Sequence, residues 1–196
     1  MAAEAQTIPH YDPAAMSLSE RELLEQAKAG DLDAFGEFVR IFERRIGAVL
    51  YRLLDDARDV DEAVQDTFVQ AWRNLGGFRG DAAPYTWLYR IAVNEALMRR
   101  RRTTPPTSEL EETTVSGGED AFAAADARAF LIERLRALPA EYRTAVVLRD
   151  VEGLSNDEVA HVLEISLAAA KSRIHRGRMR LREELERWEH GGDSPA

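Results

Sequence analysis

Apolar residues recur at intervals of three and four along most of the chain, and this spacing constrains the fold more than any other feature. The clearest run comprises Phe35, Phe38, Val39, Phe42, Ile46, Val49, Leu50 and Leu53. Such spacing places apolar side chains on one face of an α-helix. We find no segment in which apolar and polar residues alternate as they do in a half-buried strand. The sequence therefore predicts an all-α fold.

Capping signals divide the periodic segments into separate helices. The first predicted helix has Ser19 and Glu22 at capping-box spacing and ends at Gly30. Pro84 suits the first turn of a later helix, because the missing proline N–H has no partner there in any case. Further helices are predicted over residues 59–75, 84–102, 128–138, 140–151, 155–163 and 166–188.

Changes in composition divide the chain into two small helical domains. Residues 1–16 are predicted to be a disordered N-terminal tail, and residues 190–196 a disordered C-terminal tail. Residues 104–127 hold six acidic residues and no basic one, among Pro, Gly, Ser and Thr, as is typical of a flexible linker. The predicted domains are therefore residues 17–103 and residues 128–189, joined by an acidic linker.

Composition excludes several classes of function. The chain has 196 residues and no cysteine, which rules out disulfides, thiolate nucleophiles and cysteine zinc sites. No apolar run approaches the roughly 20 residues that span a bilayer, and the N-terminus lacks a signal-peptide pattern. We therefore expect a cytoplasmic protein without membrane insertion, and we predict no catalytic residue, metal or cofactor.

A strongly basic segment stands out in a chain whose formal net charge is −9. The segment is KSRIHRGRMRLR, residues 171–182, and it follows a short turn after a helix with Ser155 and Glu158 at capping-box spacing. Two helices joined by such a turn, the second one basic, are typical of a DNA-binding helix-turn-helix. The alternative is a solvated basic face on a helical hairpin. The predicted base-contacting residues are Ser166, Ala168, Ala169, Lys171, Ser172 and Arg176, and the predicted phosphate contacts are Arg173, Arg178 and Arg180.

The predicted third helix carries the opposite charge. Acidic residues cluster in DDARDVDEAVQDTFVQAW, from Asp55 to Trp72, where Arg58 is the one basic residue. This cluster is either a solvated face or a docking surface for a basic partner. After it, a loop with Arg79 leads to Tyr85 and Trp87 ahead of four consecutive arginines. Aromatic and basic residues so combined suit unstacked single-stranded bases, although aromatics at helical spacing also pack in cores.

Two motif sets in this order resemble the extracytoplasmic-function (ECF) sigma factors of bacterial RNA polymerase. DVDEAVQDTFVQAWRNLGGF followed by TWLYRIAVNEAL is similar to the family's region two. LPAEYRTAVVLRDVEGLSNDEVAHVLEISLAAAKSRIHRGRMRLRE is similar to its region four. The resemblance implies a non-enzymatic subunit that binds core polymerase, recognises minus-ten and minus-thirty-five promoter elements and assists promoter melting.

The resemblance also assigns partners and residues. The acidic helix would bind the clamp helices of the largest polymerase subunit through Asp61, Glu62, Gln65, Asp66, Phe68 and Trp72. The minus-ten element would contact Phe78, Arg79, Tyr85, Trp87, Arg90, Asn94, Arg99 and Arg100. The second domain would dock on the polymerase flap and read the minus-thirty-five element, and the linker would run close to the polymerase active centre. An anti-sigma factor is the expected inhibitory partner.

Three residues depart from the family pattern. Glu164 stands at a turn position where glycine is usual, and a left-handed residue with a Cβ costs roughly 1 kcal/mol. Val93 replaces a basic residue before Asn94, and Gly177 lies within the recognition helix. A helix-interior glycine costs roughly 1 kcal/mol relative to alanine.

Two other functions fit part of the sequence. An ordinary helix-turn-helix repressor or activator would need the basic helix but not the acidic one. A helical metalloenzyme would use Glu158 and His161, which have the Glu-x-x-His spacing of di-iron bundles, together with the acidic helix. One such motif is too few for that type of site, so we interpret His161 as a structural residue.

Overall fold

The computed structural model describes residues 18–103 and 121–191, and within them every regular element is helical. The eight α-helices of these residues are α1 (Leu18–Lys28), α2 (Leu32–Leu53), α3 (Ala57–Arg73), α4 (Pro84–Thr103), α5 (Ala121–Ala137), α6 (Ala140–Val146), α7 (Asn156–Val162) and α8 (Leu167–Gly191). A 3-10 turn, Leu75–Gly77, follows α3, and a π-helical segment, Val147–Val151, continues α6. The predicted tails and most of the predicted linker lie outside the described residues.

Helices α1 to α4 form the first lobe, with α2 at its centre. The Asp31 side chain accepts hydrogen bonds from two backbone N–H groups in the first turn of α2, and Asp56 accepts one from the N–H of Arg58 at the start of α3. The apolar face of α2 packs against the other three helices. Its buried residues are Ala34, Phe38, Phe42, Ile46, Val49, Leu50 and Leu53. The periodicity of this segment thus predicted six of these buried residues, whereas Phe35 and Val39 of the predicted run are only partly buried.

Helices α5 to α8 form the second lobe, which contains the helix-turn-helix. Ser155 and Glu158 make the predicted capping box at the start of α7, with both reciprocal hydrogen bonds present. Ser166 Oγ accepts a hydrogen bond from the N–H of Ala169, 3.2 Å away, and so caps α8 as predicted. Ala170 and Ile174 point into the core from α8. Local sequence signals therefore set both ends of the turn.

Two helix starts differ from the prediction. α5 begins at Ala121 instead of near residue 128, because the stretch AFAAADARAF is rich in alanine, the strongest helix former, without showing an amphipathic period. α1 begins at Leu18, one residue before the predicted capping position. The other predicted helices agree with the structure to within a few residues at each end.

The two lobes pack against each other and share one continuous apolar core. α4 of the first lobe lies against α7, and α2 lies against α5 and α6. Arg143 of α6 is buried between the lobes, where its guanidinium donates to the carbonyl oxygen of Leu53 at 3.1 Å and to the carboxylate of Asp55 at 3.0 Å. It also donates to the carbonyl oxygen of Arg136.

Within residues 18–103 and 121–191, no helix has the length and apolar character of a membrane span.

Candidate functional site

The outer face of α8 carries most of the predicted minus-thirty-five residues. Ser166, Ala168, Lys171, Arg176 and Arg180 are exposed, so their side chains are accessible to a ligand. Ala169, Ser172 and Arg173 are half-buried. Small residues in the first turn allow a ligand to approach one end of this face closely. Long basic residues after that turn supply positive charge along its length. Both properties suit insertion into the DNA major groove.

Three of the predicted phosphate-binding arginines have partners within the lobe. Arg178 makes two hydrogen bonds to Asp150, and this contact raises the pKa of its guanidinium. Arg173 lies 3.5 Å from a carboxylate oxygen of Glu141. The guanidinium of Arg180 lies over the ring of Tyr142, 5.2 Å from its centroid. Arg178 therefore fastens α8 to the segment after α6, which its position in a basic run does not reveal.

The three residues that depart from the family pattern each have a clear structural setting. Glu164 adopts φ 53°, the left-handed conformation that the turn requires, so the residue keeps the turn geometry at a cost of about 1 kcal/mol. Gly177 is buried against α6: a Cβ there would lie 2.5 Å from Cγ2 of Val146. Val93 is 1% exposed, which explains an apolar residue at that position of α4.

The outer face of α3 combines carboxylates with apolar surface. Asp61, Glu62, Gln65 and Asp66 are exposed, while Phe68 is buried in the core. Trp72 is partly exposed at 37%, with its ring 4.9 Å from that of Phe35. Val69, one turn before Trp72, is 45% exposed and was not singled out in the sequence. This face therefore offers both charge and an apolar patch to a partner.

Arg99 of α4 reaches across to the carboxylates of α3. Its guanidinium lies 3.0 Å from Glu62 and 3.9 Å from Asp59, and it also hydrogen-bonds Asp66. Partial burial would lower the pKa of Arg99, but the hydrogen bonds to Glu62 and Asp66 outweigh this effect and raise it. Arg99, predicted to contact the minus-ten element, is thus joined to two residues predicted to contact polymerase.

A cavity of about 320 Å³ is lined by four of the predicted minus-ten residues, Phe78, Arg79, Trp87 and Arg90. It is lined by the loop from Gly77 to Ala82, by Trp87 and Arg90 of α4, and by His161 of the second lobe. The ring of Phe78 lies 5.3 Å from that of Trp87, and both rings are buried. Arg79 and Asn94 are exposed, whereas Tyr85 is only 2% exposed. The structure therefore brings half of this predicted set together around the cavity but covers the aromatic members.

The Glu-x-x-His pair of α7 does not belong to a cluster of metal-binding side chains. The described residues hold no group of three or more histidine or carboxylate side chains arranged to bind a metal ion. His161 is exposed on α7 beside the cavity. Glu158, the other member of the Glu-x-x-His pair, instead caps α7 and accepts a hydrogen bond from Tyr85.

Comparison with protein families assigns both lobes. Residues 38–105 match the family described as Sigma-70 region 2. Residues 131–181 match Sigma-70, region 4. The two matches fall on the first and second lobe respectively, in the order expected from the sequence.

Whole-chain comparisons agree with these matches. The chain is 35% identical to RNA polymerase sigma-H factor of Pseudomonas aeruginosa over 173 residues, which cover 81% of this chain and 90% of the relative. It is 33% identical to ECF RNA polymerase sigma-E factor of Escherichia coli K12 over 175 residues, covering 82% of this chain and 91% of the relative. Among solved structures, CnrH in complex with the cytosolic domain of CnrY is similar at 31% identity and a TM-score of 0.68, covering 86% of this chain and 97% of the other. RpoE in complex with the anti-sigma factor NepR from Bartonella quintana has the same fold, with 24% identity, a TM-score of 0.60 and coverage of 79% and 98%.

Proposed function

Because the chain belongs to the ECF sigma factors of RNA polymerase, we propose that its oppositely charged surfaces divide the work of promoter recognition. The chain is a transcription initiation factor that joins core polymerase and directs it to specific promoters. The observation that carries the division is the separation of charge between α3, with its exposed carboxylates, and α8, with its exposed basic side chains. A helix-turn-helix regulator acting alone would have no use for the acidic face of α3.

The acidic face of α3 binds the polymerase clamp helices. Exposed carboxylates attract a basic partner, and Trp72 with Val69 supplies apolar area at the same place. Arg99 holds Glu62 and Asp66 from one side, which fixes the carboxylates before the partner arrives. Phe68 contributes from beneath the surface, by supporting α3 in the core.

The surface around the 320 Å³ cavity recognises the minus-ten element. Arg79 and Asn94 are exposed for contacts with the strand, and Arg90 and Arg100 are partly exposed. Phe78 and Trp87 line the cavity, and Tyr85 lies on the helix beside it. A base that has left the stack would bind in the cavity, against the paired rings of Phe78 and Trp87. In this role Arg99 acts through α3 instead of touching DNA.

The second lobe docks on the polymerase flap and reads the minus-thirty-five element with α8. Ser166, Ala168 and Lys171 lie at the start of α8, where base edges are within reach of a helix in the major groove. Arg176 follows on the same helix and is exposed, so it is the candidate for a base contact of longer reach. Arg180 then contacts phosphate. Arg173 and Arg178 also contact phosphate where they exchange their internal carboxylate partners for it.

An anti-sigma factor is the proposed inhibitory partner. Two structures similar to this chain were solved in complex with a partner protein, the cytosolic domain of CnrY for CnrH and the anti-sigma factor NepR for RpoE. Such a partner would bind this chain in the cytoplasm, which is where members of the family bind RNA polymerase.

Run-off transcription with core polymerase and a promoter library tests the function as a whole. We expect the chain to bind core polymerase and to select promoters with two spaced elements. Failure to bind core or to direct initiation would refute the assignment for this chain. Asp61→Lys on α3 should weaken core binding, whereas Glu133→Lys on α5, an equal change of charge at an exposed site, should leave it unchanged.

A further inference from the structure

Two basic side chains of α1 contact the loop that lines the 320 Å³ cavity. Nζ of Lys28 lies over the ring of Phe78, 5.4 Å from its centroid. The guanidinium of Arg21 donates a hydrogen bond to the carbonyl oxygen of Gly80 at 3.4 Å. Phe78 and Gly80 both line the cavity. The first helix of the chain therefore touches the cavity wall at two points, although neither basic residue lines the cavity itself.

The two basic side chains lie on one stripe of α1 with a core residue between them. Arg21, Leu24 and Lys28 follow one another at spacings of three and four, which places them on the same face of the helix. Leu24 is buried in the core of the first lobe and so fixes this face of α1. A carboxylate oxygen of Glu25 lies 3.0 Å from Nζ of Lys28, whose side chain is 23% exposed. The ammonium group of Lys28 is thus held in place and largely shielded from solvent.

Phe78 has two neighbours that restrict the orientation of its ring. One is the ammonium group of Lys28, which is attracted to the negative face of an aromatic ring. The other is the ring of Trp87 on α4, whose centroid lies 5.3 Å from that of Phe78. Phe78 itself stands at the end of the 3-10 turn, outside any helix. Its position therefore depends on contacts with α1 and α4.

The contact of Arg21 acts on the backbone of the same loop. Gly80 has φ 78°, in the left-handed region that favours glycine. This conformation sets the direction of the Gly80 carbonyl, and the hydrogen bond from Arg21 stabilises that direction. Arg21 and Lys28 thus fix two members of the loop in different ways, one through the main chain and the other through a ring.

We infer that Lys28 and Arg21 are positioning residues for the minus-ten element, because they hold the wall of the cavity in place before a base enters it. The inference rests on the proposed minus-ten role of the cavity. A wall that is already ordered loses less conformational freedom when it binds a base, so affinity for the base rises. In this role the two residues act through Phe78 and Gly80 and do not touch DNA.

The test compares variants of Lys28 with a matched change elsewhere in the first lobe. Lys28→Met removes the ammonium group and keeps an unbranched side chain, whereas Lys28→Arg keeps a cation at the same position. The control is Arg40→Met on α2, because Arg40 is also paired with a glutamate three positions before it and is exposed. This control removes the same charge without touching the loop. Arg21→Met is a second variant, which removes the hydrogen bond to Gly80.

Fluorescence anisotropy measures holoenzyme binding to a labelled single strand that carries the non-template minus-ten region of a promoter selected by the wild-type holoenzyme. Abasic sites placed at one position after another identify the base on which binding depends most. The readout is the ratio of affinities for the intact strand and for the strand abasic at that position. Lys28→Met should lower this ratio about two- to fivefold, as expected for a lost cation–π contact. Lys28→Arg should restore the ratio, Arg21→Met should lower it about twofold, and Arg40→Met should leave it unchanged.

A purely structural loss or a general loss of positive charge would weaken binding to both strands and leave their ratio unchanged. A Lys28→Met holoenzyme with the wild-type ratio therefore overturns the inference. A Lys28→Arg holoenzyme with a ratio as low as that of Lys28→Met also overturns it, because the cation would then not hold Phe78. In both cases a wild-type holoenzyme that depends on one base keeps the minus-ten role itself. If no abasic site affects the wild-type holoenzyme, that role is refuted and the inference is refuted with it.

Discussion

Replacement of Gly177 by alanine tests whether the packing between α8 and α6, or helix propensity, governs this position. Gly177 lies within α8, where alanine would ordinarily stabilise the helix by about 1 kcal/mol. The structure opposes that gain. A Cβ at residue 177 would lie 2.5 Å from Cγ2 of Val146 and 3.1 Å from the carbonyl oxygen of Tyr142.

The size of the effect follows from which of these two atoms can move. Val146 is 2% exposed, so its methyl group has no open space to enter, and the Tyr142 oxygen belongs to the backbone of α6. Insertion of a methyl group into a packed core costs about 1–3 kcal/mol. Because α8 must separate from α6 to accept the methyl group, we place the cost near the top of that range. After the propensity gain, the net loss of unfolding free energy is about 1–2 kcal/mol.

Urea unfolding followed by circular dichroism measures the loss. Gly36→Ala is the matched control, since Gly36 also lies inside a helix but has no heavy atom within 4 Å of its added Cβ. This control should gain up to about 1 kcal/mol. Val146→Ala in the Gly177→Ala background should show a favourable coupling energy of about 0.5–3 kcal/mol, because it removes the methyl group that the new Cβ meets.

The opposite result would refute this reasoning. If Gly177→Ala stabilises the protein as much as Gly36→Ala, the helices have room for a Cβ and the glycine is not required by packing. An additive double variant would equally show that Val146 is not the obstructing group.

Three further predictions concern charged residues of the second lobe. Burial, aided by the positive charge of Arg100 and opposed by Asp55, lowers the pKa of Arg143 to about 10. Arg143→Lys should reduce the unfolding free energy by about 1–3 kcal/mol, because an ammonium group cannot match the forked contacts to two carbonyls and a carboxylate; an unchanged urea midpoint would contradict this. Glu164→Gly should raise stability by up to about 1 kcal/mol by relieving the left-handed backbone, as measured by thermal unfolding; a drop would mean that the turn depends on the glutamate side chain. Arg180→Gln should lower the affinity of the holoenzyme for all promoter duplexes and reduce the salt slope by about one, whereas Arg178→Gln should change the slope less, because its guanidinium is already paired with a carboxylate; equal slopes for the two variants would show that the internal pair opens on DNA.

Much of the architecture follows from local sequence. Helix α2 was predicted from its apolar spacing, and α7 and α8 from capping residues that act within three positions of one another. Local signals failed at the start of α5, where an alanine-rich stretch forms a helix without any apolar period. Local signals report interactions between residues three or four positions apart, which set a helix. They fail where a helix shows no such spacing of apolar residues.

The candidate surfaces were only partly predictable. Exposure of Lys171 and Arg176 on α8 agrees with the sequence-based assignment to the DNA face. Nothing in the sequence distinguishes them from Arg178, whose partner is 28 positions away, or from Arg99, whose partner Glu62 is 37 positions away. Which arginines are available to phosphate and which serve as internal fasteners depends on the folded arrangement.

By itself the sequence determined the all-helical class, the helix-turn-helix, the separation of acidic from basic surface and the family. These features depend on residue type and on the spacing of residues close together in the sequence, and neither changes with the conformation of the chain. Tertiary structure alone decided that Gly177 lies against α6, that Arg143 joins the lobes, and that glutamates accept hydrogen bonds from Tyr85 and Tyr89. Each of these contacts joins atoms from distant parts of the chain, and only the packing of the helices sets the distance between those atoms.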